Sequence, residues 1–282
     1  MIFEVAHTTR FRYSRPIFLE PMTVRLRPRS DVTQRLLRFE ISASPPPADM
    51  FELTDAEGNG VAKLWFNSLT DGLMLQTAFA VETLLHNPFE WVVLDPAAVR
   101  LPMTYPKENR AVLAPYRIPS GDPAVSALAH EVSMASGGTA DTFLTALSSR
   151  VYDTIEQEFR GQGDALPPAV TLARHRGPCR DLALLFMDAC RSLGLASRYV
   201  SGYELGELDA ADRELHAWAE VYVTGVGWRG YDPSQGLAVA DRHVAVAVGA
   251  TAAGAAPTRG VFWGTGVISR QESRIEVRTV RD

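Results

Sequence analysis

The sequence predicts an α+β chain, with an N-terminal antiparallel β-sandwich or barrel over residues 1–95 and a mixed helix-and-strand core over residues 121–282. Three observations carry this expectation. Short alternating runs, punctuated by Pro45-Pro46-Pro47 and Gly58-Asn59-Gly60, fill the first third. A helix-periodic apolar stretch follows Cys179. An alternating run from His216, a glycine turn and a second short run then read as an antiparallel hairpin.

In chain order, residues 1–40 hold eight arginines against four acids. Strand alternation explains much of that imbalance: Val24 and Leu26 point inward while Arg25 and Arg27 face water. Residues 96–120 carry Pro96, Pro102, Pro106, Pro115 and Pro119 and read as an ordered linker. Helices are expected near 123–136, with Asp122 as cap and Pro123 in the first turn, and over 140–159. Residues 274–280 alternate as a last strand that either closes the core sheet or returns to the N-terminal one. No internal repeat is visible.

The helix after Gly177-Pro178-Cys179-Arg180-Asp181 is the best-defined element. Leu182, Leu185, Phe186, Ala189, Cys190 and Leu193 lie at offsets 0, 3, 4, 7, 8 and 11, one face of an α-helix. Pro178 suits its first turn and Gly194 its C-terminal cap. Cys179 therefore sits at the helix N-terminus, where the partial positive charge favours thiolate and first-turn N–H groups can hold an oxyanion. Cys190 falls mid-helix on the apolar face, roughly 16 Å from Cys179 at about 1.5 Å per residue, too far for a disulfide.

Downstream, His216, Trp218 and Glu220 share one strand face, and residues 224–227 turn the chain so that Asp232 lies on the next strand. A histidine and an aspartate so placed suit a general base and the carboxylate that fixes its tautomer. Each of the three has an ordinary reading alone: Cys179 as a small core residue, His216 as a satisfied half-buried histidine, Asp232 as a turn former before Pro233. The functional reading rests on all three within 54 residues.

These residues carry a family resemblance. Gly177-x-Cys179-x-Asp181, Arg198-Tyr199-Val200-Ser201-Gly202-Tyr203, His216-Ala217-Trp218-x-Glu220-Val221 and Gly227-Trp228-x-x-x-Asp232-Pro233 resemble the transglutaminase-like core of bacterial proteins, over roughly residues 140–260. Phe11-Arg12-Tyr13, Arg25-Leu26-Arg27-Pro28 and Asp55-x-x-Gly58-Asn59 resemble the β-rich region found before such cores. The resemblance implies a papain-like core, with the cysteine-bearing helix packed on an antiparallel sheet. It further implies Cys179 as nucleophile, His216 as general base and acid, and Asp232 as orienter, in a family of glutamine–amine crosslinkers, proteases and amide hydrolases.

The chain departs from the family pattern in three places. Arg180 follows the nucleophile where many relatives have glutamine, and Ser234 replaces threonine after Asp-Pro. Residues 249–257 are nearly bare of side-chain chemistry where relatives carry Arg, Asp and Tyr, which reads as a flexible loop and a simplified substrate subsite. Tyr152, Gln157 and Phe159 lie where an oxyanion-hole side chain is expected. His175, four residues before Cys179, is a rival base by proximity.

Composition sets the outer limits. Hydrophobic residues make up 46% of the 282, charged residues 22%, and the formal charge is −5, so a folded globular protein is expected, with no general case for nucleic-acid binding. No run approaches the roughly 20 apolar residues of a membrane span. The start lacks a basic, then apolar, leader, and with only two cysteines a cytoplasmic location is expected. Neither zinc-finger spacing nor an HExxH pattern, calcium loop, Walker A loop or dinucleotide fingerprint occurs, so neither cofactor nor metal is expected. The expected partner is a peptide or protein substrate. The expected activity is cleavage or transfer of peptide, isopeptide or glutamine amides through a Cys179 thioester, with hydrolysis favoured over crosslinking. The alternative is a peptide-binding module in which the triad is vestigial.

Overall fold

The structure is a computed structural model and describes residues 1–93, 95–161, 163–204 and 215–280. The N-terminal strands are β1 (Ile2–Leu19), β2 (Met22–Val24), β3 (Gln34–Ser44), β4 (Asp49–Thr54), β5 (Gly60–Trp65) and β6 (Leu69–Thr83). Helices α1 (Lys107–Leu113), α2 (Pro123–Ala135) and α3 (Ala140–Thr154) follow, then β7 (Glu156–Gln157), α4 (Pro168–Arg174), β8 (Arg176–Gly177) and α5 (Cys179–Ser192). The chain continues through β9 (Ala196–Glu204), β10 (His216–Val223), β11 (Gly227–Asp232), β12 (Leu237–Ala238) and β13 (His243–Gly249). It ends with β14 (Thr258–Arg259), β15 (Phe262–Trp263) and β16 (Ser269–Val280).

Alternation builds the N-terminal half. Phe3, Val5, His7 and Thr9 of β1 are buried while their neighbours are not, the period of two that a strand imposes. One edge of β1 pairs antiparallel with β6, from Ile2↔Glu82 to Phe18↔Leu69, and β3 extends the sheet from β6. The other edge pairs with β16, from Ile2↔Val280 to Tyr13↔Ser269, and further along with β15. The last strand thus returns to the N-terminal sheet. A second antiparallel sheet, ordered β14-β2-β5-β4, faces the first across Ile17, Val24, Leu26, Leu64, Leu73 and Leu75 and completes a sandwich.

The third sheet, β12-β11-β10-β9-β13, is antiparallel throughout and holds the candidate site. One face receives α5: Leu182, Leu185, Phe186 and Ala189 share a buried cluster with Ala217, Ala219, Val221 and Val223. Burying each large apolar side chain contributes about 2 kcal/mol, so this face anchors the helix. Helix α5 ends in a Schellman arrangement. Gly194 adopts φ 77°, its N–H donates to the Arg191 carbonyl at 2.9 Å, and the Leu195 N–H donates to the Cys190 carbonyl at 3.1 Å.

Two buried side-chain amides join the halves. An Asx turn, in which the Asp55 carboxylate accepts the N–H groups of Glu57 and Asn59, places Asn59 against β13. The Asn59 amide then accepts the Val248 N–H and donates to its carbonyl, both at 2.8 Å. Gln34 treats Ala245 the same way, at 2.8 and 2.9 Å. Each amide stands in for a neighbouring strand, satisfying backbone groups on the outer edge of β13.

One expectation needs correction and another gains detail. In the stretch read as an ordered linker, 96–120, Val99, Met103, Tyr105 and Leu113 are buried in the same cluster as α5. The Tyr105 hydroxyl accepts the Ala196 N–H and donates to the Tyr222 carbonyl, both at 2.8 Å, closing the end of the β9–β10 ladder. Residues 249–257 form a compact turn rather than a loose loop. Ala255 is wholly buried, its carbonyl accepts from Ser201 at 2.7 Å, and the Ala250 carbonyl accepts from Arg191 at 2.7 Å. A Cβ on Gly249 would lie 2.9 Å from the Ala255 nitrogen, so the small residues are what let this turn close.

Candidate active site

Cys179 is the first residue of α5. Pro178 occupies the N-cap with an extended backbone, one position earlier than the sequence suggests, and no side chain caps the helix. The N–H groups of Cys179 and Arg180 thereby have no acceptor within the helix. The thiol is half-buried, whereas Cys190 is sealed in the core and its burial pushes that thiol well above the ordinary range.

His216 and Asp232 meet through the hairpin register. Ala219 pairs with Tyr231 and Val223 with Gly227, around a turn with left-handed Gly225 and Gly227. Asp232 therefore shares the His216 face of the sheet, and His216 Nε2 lies 2.6 Å from Asp232 Oδ2. The Cys179 thiol lies close enough to the same ring to raise it, and Nδ1 is the nitrogen that Asp232 leaves open. The structure thus brings the three expected residues together, in the order thiol, imidazole, carboxylate.

The environment polarises this chain of contacts. Burial pushes the His216 imidazole down, but the adjacent Asp232 carboxylate and the Cys179 sulfur outweigh it and hold the ring well above its usual value. Burial pushes Asp232 up, yet the two histidines against it bring it far below the usual carboxylate range. Asp232 is fully buried, and its Oδ1 accepts the Ser234 N–H at 3.0 Å and the Ser234 hydroxyl at 2.7 Å. Serine thus supplies the same two donors that threonine would.

Sequence reasoning missed two participants. His243, at the start of β13, places Nε2 3.1 Å from Asp232 Oδ2. The only available signal was a histidine opening the apolar alternation His243-Val244-Ala245-Val246. Arg160 makes a two-pronged ion pair with Asp181, both contacts at 2.8 Å, and the Leu166 N–H adds a third bond to that wholly buried carboxylate. This pins Arg160 and Leu166 over the first turn of α5.

The remaining candidates separate clearly. His175 is exposed at φ 52°, capping α4, and its carbonyl accepts from Glu156 in the β7–β8 region. Gln157 lies on β7 in parallel register with Gly177, two residues before Cys179. Tyr152 is on α3 against Gly236, and Phe159 is 78% exposed. Backbone pairing thus sets Gln157, of the three, beside the cysteine segment. Among the described residues, His216, Asp232 and His243 are the grouping whose ligand atoms converge, all within 4.8 Å. Both ring nitrogens bond the same carboxylate oxygen, so the cluster is a closed hydrogen-bonded set rather than an open cage. No helix among the described residues is long and apolar enough to cross a membrane.

The fold and site define a transglutaminase-like protein. Residues 3–82 match the bacterial transglutaminase-like N-terminal region and residues 126–233 match the transglutaminase-like superfamily, a family of cysteine-dependent acyl transfer and proteolysis, and the chain belongs to it. An uncharacterized protein of Mycobacterium bovis is 25% identical over 277 residues, covering 93% of this chain and 87% of that one. An uncharacterized protein of Mycobacterium leprae is 36% identical over 96 residues, 32% of this chain and 34% of that protein's length. The crystal structure of a candidate cysteine protease from Cytophaga hutchinsonii superposes with a TM-score of 0.74 at 19% identity, covering 100% of this chain and 91% of that one, which shows the shared fold.

Proposed function

We propose that this protein is a cytoplasmic cysteine acyl-transfer enzyme that cleaves or transfers peptide, isopeptide or glutamine amides through a thioester on Cys179. The observation that carries the reading is the His216 ring, bonded to Asp232 at 2.6 Å and raised by both that carboxylate and the nearby Cys179 sulfur. The Cys179 thiolate adds to the amide carbon, and first-turn N–H groups hold the oxyanion, with Gln157 the candidate side-chain donor beside them. As the C–N bond breaks, His216 gives its proton to the leaving amine. The ring, now neutral, takes a proton from the second nucleophile as that attacks the thioester, and the thiolate leaves with the acid or new amide released. Water is the favoured second nucleophile, because the half-buried thiol lies within reach of solvent. Two unpaired cysteines suit a reducing compartment.

The test is the rate of Cys179 alkylation by iodoacetamide against pH, with Cys190→Ala and His216→Ala variants as controls. Rapid modification well below the free-thiol value of about 8.5, unaffected by Cys190→Ala and lost with His216→Ala, is expected. Cys179→Ala should abolish amide cleavage and transfer. A Cys179 that reacts only near that value would exclude the enzyme and leave the peptide-binding module.

A further inference from the structure

We infer that His243 is a positioning residue of this site, whose Nε2–H shares Asp232 Oδ2 with His216 and so sets how tightly the carboxylate holds the catalytic imidazole; this rests on the function proposed above. An ionised carboxylate only accepts, so both Nε2 atoms must donate to it. The two bonds are unequal, 2.6 Å from His216 and 3.1 Å from His243, and both donors meet the same oxygen. With Ser234 occupying Oδ1 twice, the buried carboxylate receives four hydrogen bonds and has one orientation open to it.

A second observation agrees with this tautomer. His243 has a 4% exposed side chain, and its Nδ1 is buried without a partner, as is Nε1 of Trp218. The two rings meet edge to face at 5.2 Å, and both line a cavity of about 40 Å³ on the side of the sheet away from α5. Indole Nε1 can only donate, whereas Nδ1 of a neutral Nε2–H imidazole can only accept. A water bound there would accept from Trp218 and donate to His243. The Asp232 carboxylate, which only accepts, places the His243 proton on Nε2. The other charged or titratable groups around the ring are Glu220 and Arg229 on the cavity wall, Glu204 opposite on β9, Asp241 and Arg242 on its own segment, and Cys179 beyond His216.

The chemical consequence follows from competition for one oxygen. A carboxylate oxygen divided between two N–H donors stabilises the positive charge of the His216 ring less than one serving His216 alone. His216 then releases its Nδ1 proton to a leaving amine more readily, which is the demanding step in amide cleavage. Trp218 and Gly202 hold the arrangement in place, since a Cβ on Gly202 would fall 2.2 Å from the Val244 carbonyl and 2.5 Å from the Trp218 ring.

The experiment compares the full-length wild type, His243→Ala and His243→Gln. The readouts are the pH profile of Cys179 alkylation by iodoacetamide and the titration of the His216 ring by NMR. His243→Ala should raise the His216 titration and the upper inflection of the alkylation profile by about one pH unit, tenfold in proton affinity. His243→Gln, whose side-chain amide still donates, should restore most of the shift. Unchanged titration in His243→Ala would overturn the inference. So would loss of folding or of all Cys179 reactivity in both variants, which would mark His243 as merely structural. If wild-type Cys179 reacts as an ordinary thiol, the proposed function fails, and the His216 titration still reads the clamp on its own.

Discussion

Asp232 shows how much one buried side chain decides here. Its Oδ2 serves two imidazoles and its Oδ1 serves Ser234, so the site depends on a single negative charge with no exposure to water. Asp232→Asn keeps the volume but replaces one acceptor oxygen with an N–H donor. The His216 ring should fall back towards its ordinary value, and Cys179 alkylation near pH 6 should slow by a factor on the order of 10 to 100. The linkage is signed. A histidine raised in the folded state adds stability that is complete below its unfolded value and fades as pH rises through the folded one. Thermal unfolding of Asp232→Asn should therefore lose most, relative to wild type, between the ordinary carboxylate value of 3.8 and the ordinary imidazole value of 6.5, and a variant with the wild-type alkylation profile would exclude this role. The Cys179, His216 and Asp232 trio was legible because helix period, strand period and residue type coincide. His243 was not, because nothing in spacing reveals that the start of β13, at the opposite edge of the sheet beside β9, comes within reach of the aspartate ending β11.

At the scale of elements, α5 is the most faithfully written in the sequence. Its apolar offsets, its N-terminal cysteine and its glycine stop are local features, and the structure uses each one. The helix expected over 140–159 instead ends at Thr154, because residues 156–157 leave to pair in parallel with 176–177, a long-range contact that propensity cannot anticipate. The quoted motifs also have structural explanations that the sequence hid. Arg198 pairs with Glu220 at 2.6 Å and stacks over Trp228 at 4.2 Å, tying β9, β10 and β11 together behind the site. At the N-terminus of α5, Asp181 is sealed and held by Arg160, whose side chain is 24% exposed. Breaking a buried ion pair costs about 3–5 kcal/mol, and partial hydration of Arg160 reduces that, so Asp181→Ala should destabilise by roughly 2–3 kcal/mol. Urea unfolding would read that loss. Because Arg160 and Leu166 would come free of the cysteine segment, Cys179 alkylation should change as well. Asp181→Asn, which can still accept from the Leu166 N–H, should show a smaller stability loss.

At the scale of the whole molecule, the N-terminal sandwich braces the sheet that carries the site. Phe3, Val5, Phe79, Val81 and Ile275 pack against Tyr203, Val244 and Val246, and Gln34 and Asn59 complete the edge of β13, the strand that begins at His243. The alternating strands were legible, but the docking was not, since it depends on two amides buried at specific places. His7 lies in the same interface. It is 1% exposed, and its Nδ1 and Nε2 lie 2.9 Å from the Tyr203 hydroxyl and 3.0 Å from the Thr9 hydroxyl. Burial pushes its imidazole down to about 4, from 6.5. Between those values the unfolded chain binds a proton that the folded one refuses, so stability falls as the solution is acidified from pH 6.5 towards pH 4 and His7 adds nothing further below that. The full difference amounts to roughly 3 kcal/mol. The raised His216 has the opposite sign and its contribution is already complete over this range, so it cannot produce the loss. Chemical denaturation at pH 7 and pH 4.5 should show the wild type weakening by a few kcal/mol, and His7→Gln, which keeps a donor and an acceptor but has no charge to gain, should flatten that decline. An equal decline in both proteins would mean that the acid sensitivity lies elsewhere than in the contact between β1 and β9.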